Sequence, residues 1–90
     1  MMKTVLITVA GRVQGVFYRQ TAKEKATELS IKGEVRNMPD ETVQIIATGT
    51  KEQIEQLIEW CMQGPPKAIV QDVMVEEIPL QSFDKFNIVR

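Results

Sequence analysis

Gly11-Arg12-Val13-Gln14-Gly15-Val16-Phe17-Tyr18-Arg19 stands between an apolar, β-branched run and a segment of helical spacing. Ahead of it, Thr4 to Ala10 puts Val5, Ile7 and Val9 on one face and Leu6 on the other. Both faces are nearly free of charge, as a central strand requires. Behind it, over residues 19–30, Ala22, Ala26 and Leu29 recur at helical intervals among lysines and glutamates. The nine residues are therefore expected to form a loop leading into a helix N-terminus. Two glycines in such a loop let backbone N–H groups converge on one point, where the helix dipole also favours negative charge. Phosphate is the simplest ligand for that arrangement. The backbone of Gln14, Gly15, Val16, Phe17, Tyr18 and Arg19 would surround it, and the Arg19 guanidinium is a planar fork able to grip it.

Working outward, Lys32 to Asn37 reads as a strand, and Met38-Pro39-Asp40-Glu41 as a turn with Pro39 presetting φ. Thr42 to Thr48 returns as a second strand of a hairpin. Thr50-Lys51-Glu52-Gln53 matches a capping box, and Ile54, Leu57, Ile58 and Cys61 form the buried stripe of the helix that follows. Gly64-Pro65-Pro66 stops that helix. Ile69 to Ile78 is a long strand and Phe86 to Val89 a short one. The order β-α-β-β-α-β with an appended strand predicts an α+β, ferredoxin-like two-layer sandwich: one antiparallel sheet with both helices on one face. A right-handed crossover sets the third strand between the first two. The start of the first helix and the end of the second strand then share one edge. Arg19 and Asn37 are expected to meet there.

Ninety residues are expected to make a single domain, residues 1–90. A chain this short hides roughly 60–70% of the surface its unfolded form exposes, which argues against a deep enclosed cavity. With 43% hydrophobic residues, 26% charged and a net charge of −1, the chain lacks the basic excess of a general nucleic-acid binder. The single cysteine excludes an internal disulfide. The N-terminal apolar run is too short to span a bilayer and lacks a signal-peptide pattern. A cytoplasmic monomer acting on a small molecule, with no nucleic-acid or membrane partner, is the expectation.

There is no histidine. Arg19, the 14–19 backbone and the carboxamide of Asn37 therefore make a site without a general acid of neutral pKa. A reaction run here must need neither a proton for the leaving group nor a covalent intermediate. Acyl phosphates meet that condition, because their leaving carboxylate has a conjugate-acid pKa of about 4. What remains is to neutralise the phosphoryl oxygens and place one water in line, tasks that suit Arg19 and Asn37 respectively.

The nonapeptide at 11–19 looks like the signature of the acylphosphatases. A second, looser pattern of that family recurs as Gly33, Val35, Asn37, Val43 and Gly49, and the resemblance extends over nearly all of the chain. It implies hydrolysis of the carboxyl–phosphate bond without metal or cofactor, Arg19 binding the phosphate and Asn37 orienting the attacking water. This chain departs from the family in carrying Glu34 where an aromatic is common and Glu41 where glycine is common. Glutamate adopts the positive φ of a hairpin turn at a cost. Glu34, Asp40 and Glu41 also bring negative charge towards a dianion site. Weaker substrate binding with retained chemistry is expected, and with it a lower KM in Glu41→Gly.

Taken singly, the same residues have plainer readings. Isolated glycines mark bends, an isolated arginine is a solvated helix residue, and Asn37 suits the start of a turn. Cys61 and Trp60 read as packing residues of the second helix. An RNA-recognition module shares the element order but reads bases with aromatics on its central strands, which are absent here. Metal carriage needs paired cysteines. A ligand-binding domain that keeps the anion loop without turnover is the remaining rival.

Overall fold

The computed structural model describes residues 1–90. The chain forms β1 (Met2–Arg12), α1 (Tyr18–Glu28), β2 (Lys32–Asn37), β3 (Val43–Thr50), α2 (Lys51–Gln63), β4 (Ile69–Ile78) and β5 (Phe86–Val89). The five strands make one sheet in the order β4-β1-β3-β2-β5. β1 runs antiparallel to β3 and β4, β2 antiparallel to β3, and β5 parallel to β2. This is the expected ferredoxin-like sandwich.

Period-two alternation sorts the sheet into a packed face and an open one. Across β1 and β3 the register pairs Val5 with Ala47, Ile7 with Ile45 and Val9 with Val43, and Val35 of β2 continues the Ile45 row. All seven are buried beneath the helices. α1 meets them with Ala22 and Ala26, side chains small enough to bring its axis close to the sheet, and α2 with Ile54, Leu57 and Cys61. The α2 capping box is complete: Thr50 Oγ1 accepts from the Gln53 N–H at 3.2 Å, and Gln53 Oε1 from the Thr50 N–H at 2.8 Å.

β4 and β5 lie at opposite edges, so the link between them must cross the sheet. It does so at the Thr4 end of β1. The Thr4 and Thr48 hydroxyls, 2.6 Å apart and buried, tie it down: Gln81 N–H donates to Thr4 Oγ1 at 2.9 Å and Thr48 Oγ1 donates to Gln81 O at 2.8 Å. That crossing delivers β5 to the edge beside β2.

The element bounds differ from expectation in one way that matters. β1 continues through Arg12, so Gly11 lies in the strand rather than in the loop. It sits where the β1–β4 register shifts by a bulge, at φ +129°, and a Cβ there would lie 2.2 Å from the Ile69 carbonyl oxygen. The loop is correspondingly shorter and α1 begins one residue early, at Tyr18.

Two ionisable groups are sealed between the helices. Tyr18 is 1% exposed, its hydroxyl donates to the Cys61 carbonyl at 2.7 Å, and its ring packs 5.1 Å from that of Trp60. Burial, with the nearby Cys61 adding to it, pushes the Tyr18 hydroxyl far above its ordinary range, and burial pushes the Cys61 thiol up to about 12. Both pKa values are raised on folding, so above the unfolded values the native state holds more protons than the unfolded chain. Stability is therefore complete below about pH 9 and declines as pH rises, by roughly 1 kcal/mol per pH unit for each group once it titrates in the unfolded state. Urea unfolding between pH 8 and 11 should show this decline beginning near pH 9, and in Cys61→Ala beginning about one unit later.

Candidate active site

The loop between β1 and α1 turns to the core at three positions and to solvent between them. Val13, Val16 and Tyr18 are buried, whereas Gly15 and Phe17 face outward. Gly15 at φ +75° and Phe17 at φ +67° flank Val16, whose φ is negative. Alternating φ signs turn successive N–H groups towards one side of the chain, the geometry of a concave nest suited to an anion. Phe17 is also the N-cap of α1, and no side chain caps that end. No acidic residue occupies the first turn either. The first N–H groups of the helix thus keep the donors that a cap would have used, beside a positive dipole end.

Arg19 lies in that first turn and takes part in neither of the two ion pairs of the structure, Lys25–Glu28 and Arg36–Glu34. Across from it, Asn37 is the last residue of β2. Its Oδ1 is buried and has no hydrogen-bond partner. A buried acceptor left unpaired costs about 1–3 kcal/mol, so this oxygen is a place for a donor to bind. Arg19 and Asn37 line one open cleft of about 440 Å³ together with Gly15, Phe17 and Tyr18. The edge shared by strand end and helix start is as expected from topology.

Not every residue expected at the site presents its side chain there. Val16 and Tyr18 are buried, and of the two only Tyr18 lines the cleft. The Gln14 side chain reaches the β2–β3 hairpin instead, where Nε2 donates to Met38 O at 3.0 Å and Thr42 O at 2.9 Å. Conversely, Ile88 and Arg90 line the cleft and were not anticipated. The signal was present in the short fifth strand, but only its parallel pairing with β2 tells that it arrives at this edge.

The acidic turn behaves differently from its sequence reading. Glu41 takes the glycine-like conformation, φ +72°, so the turn is not reshaped. Asp40 Oδ1 accepts from the Thr42 hydroxyl at 2.6 Å and the Thr42 N–H at 3.1 Å, bonds that hold its carboxyl below the ordinary range. Glu34 is engaged by Arg36, and none of Glu34, Asp40 and Glu41 lines the cleft. The effect expected of Glu41→Gly thus moves from KM to stability.

A model of the family described as acylphosphatase matches residues 5–88. The chain belongs to the acylphosphatase family. It is similar to the acylphosphatase of Methylococcus capsulatus, with 46% identity over 90 residues, covering 99% of this chain and 98% of that one. Among solved structures it is similar to an acylphosphatase from Coxiella burnetii, with a TM-score of 0.95 and 38% identity over 98% of this chain and 93% of that one. It is also similar to the acylphosphatase of Bacillus subtilis, with a TM-score of 0.95 and 33% identity over the full length of both. Acylphosphatase activity, and with it a place among the hydrolases, follows from membership in the family.

Relieving the left-handed strain at residue 41 should stabilise the protein, offset in part by the greater freedom of glycine in the unfolded chain. Thermal unfolding of Glu41→Gly should show a Tm higher by a few degrees, corresponding to about 0.5 kcal/mol, while KM for an acyl phosphate stays within about twofold of wild type.

Proposed function

We propose that the chain hydrolyses small acyl phosphates at this cleft, without a metal ion, by in-line attack of a water held at Asn37 on a phosphoryl group held by Arg19 and the 14–19 backbone. The observation that carries the reading is that Asn37, whose buried Oδ1 has no hydrogen-bond partner, lines the same cleft as an arginine free of any carboxylate. The Arg19 fork and the loop N–H groups neutralise the phosphoryl oxygens. The Asn37 carboxamide accepts a proton-bearing edge of the water and fixes its lone pair towards phosphorus. The water oxygen forms the new P–O bond as the bond to the carboxylate oxygen breaks. The carboxylate departs with the electron pair, and the water's proton passes to the phosphate product. A leaving group whose conjugate acid has a pKa of about 4 needs no protonation at neutral pH, in keeping with a chain that has no histidine. One chain supplies every residue named, so a monomer suffices.

Hydrolysis of a simple acyl phosphate should continue undiminished in excess EDTA. Arg19→Ala should lower kcat/KM by about 10³-fold or more, and Asn37→Ala should lower kcat by about 10²–10³-fold. Inorganic phosphate should raise the Tm of wild type by mass action, and Arg19→Ala should abolish that shift. Loss of activity in EDTA, or either variant within tenfold of wild type, would overturn the proposal.

A further inference from the structure

We infer that Gln14 is a positioning residue that clamps the β2–β3 hairpin, keeping Asn37 in place against the strain stored at Glu41; the inference rests on the role proposed above for Asn37. The hairpin closes on itself through two carbonyls. Met38 N–H donates to Thr42 O at 2.8 Å, and Glu41 N–H donates to Met38 O at 3.0 Å. Gln14 Nε2 spends its two hydrogens on the same two acceptors, Met38 O and Thr42 O. It reaches them from the phosphate loop, 24 and 28 residues away in sequence, and the contacts are partly buried. Met38 is the residue directly after Asn37, so whatever fixes its carbonyl fixes the end of β2 at the cleft.

The turn has a reason to need the clamp. Glu41 sits at φ +72°, a region that a side chain leaves when nothing prevents it. Strained residues persist where their surroundings over-determine them. Relaxation of Glu41 to negative φ would withdraw its N–H from Met38 O and let the Asn37 end of the strand drift. Gln14 blocks that route by holding both carbonyls from outside the turn. With glycine at 41 the left-handed conformation carries no strain, and the same clamp becomes largely redundant. Gln14 and residue 41 are therefore coupled in their effect on turnover. The amide also ties the two halves of the site together, since one residue of the phosphate loop sets the position of the water-orienting strand.

The test is a double-mutant cycle on kcat and KM for an acyl phosphate, using wild type, Gln14→Met, Glu41→Gly and the double variant, each assayed well below its own Tm. Gln14→Met should lower kcat about 10–100-fold with KM within about threefold, a loss of transition-state alignment rather than of binding. In the Glu41→Gly background the same substitution should cost less than about threefold. Gln14→Lys, which keeps N–H donors, should retain more kcat than Gln14→Met at equal Tm, and it carries the test if Gln14→Met does not fold. A kcat loss of the same size in both backgrounds would overturn the inference. So would an unchanged kcat, or a rise in KM with kcat intact. Arg19→Ala and Asn37→Ala run alongside separate the two failures. If they remain active the functional reading has failed; if they are inactive while Gln14→Met is not, only the inference has.

Discussion

Burial of Val13, Val16 and Tyr18 is the constraint on which the site depends. Each of these side chains leaves water almost completely, a gain of about 2 kcal/mol apiece for residues of this size. Three inward residues within six positions leave the chain no regular conformation between them. The backbone meets the demand by changing φ sign at Gly15 and again at Phe17. Glycine does this freely, whereas Phe17, a residue 74% exposed, does it at a cost of about 1–3 kcal/mol. The core thus holds the loop in a shape that the loop would not choose, and that shape aims its N–H groups outward. Tyr18 completes the arrangement by tying the first residue of α1 to the Cys61 carbonyl of α2, so the helix N-terminus cannot drift from the loop.

Much of this was legible in the sequence. Alternation and helical spacing located every element, Thr50 and Gln53 declared the start of α2, and topology alone brought Arg19 to Asn37. Three things were not legible. Gly11 reads as a loop glycine because a bulge is a two-strand property, visible only when the Ile69 carbonyl stands opposite. The edge position of β5 depends on a link whose anchor, the Thr4–Thr48 hydroxyl pair, joins residues 44 positions apart. The Gln14 side chain could serve a ligand or the fold equally well, and no local pattern announces that its partners are carbonyls of the hairpin.

The chemistry proposed for the cleft is shaped by what these constraints permit. A loop built from core anchors and outward N–H groups offers donors in plenty and no titrating acid near neutrality. Such a surface can stabilise charge that accumulates on phosphoryl oxygens but cannot protonate an alkoxide as it leaves. The openness of the cleft sets a further condition. A shallow rim contributes little binding energy from the acyl part of a ligand, so discrimination falls on the phosphoryl group and on the reactivity of the bond beside it.

Two strained residues flank the cleft, and they are held by different forces. Phe17 is fixed by apolar burial on either side of it, at Val16 and Tyr18, and gives way only when the core does. Glu41 is exposed, and its turn is fixed by hydrogen bonds around Met38 and Thr42. Bonds of that kind each contribute about 1 kcal/mol net. The loop side of the cleft is therefore anchored by the core, while the hairpin side is held by hydrogen bonds of the kind whose loss costs less than global unfolding. An anion would find its donors already set, whereas the alignment of a water at Asn37 would depend on the softer of the two halves. On the roles proposed here for Arg19 and Asn37, binding would be as durable as the fold, and turnover would depend on a few polar contacts in one turn.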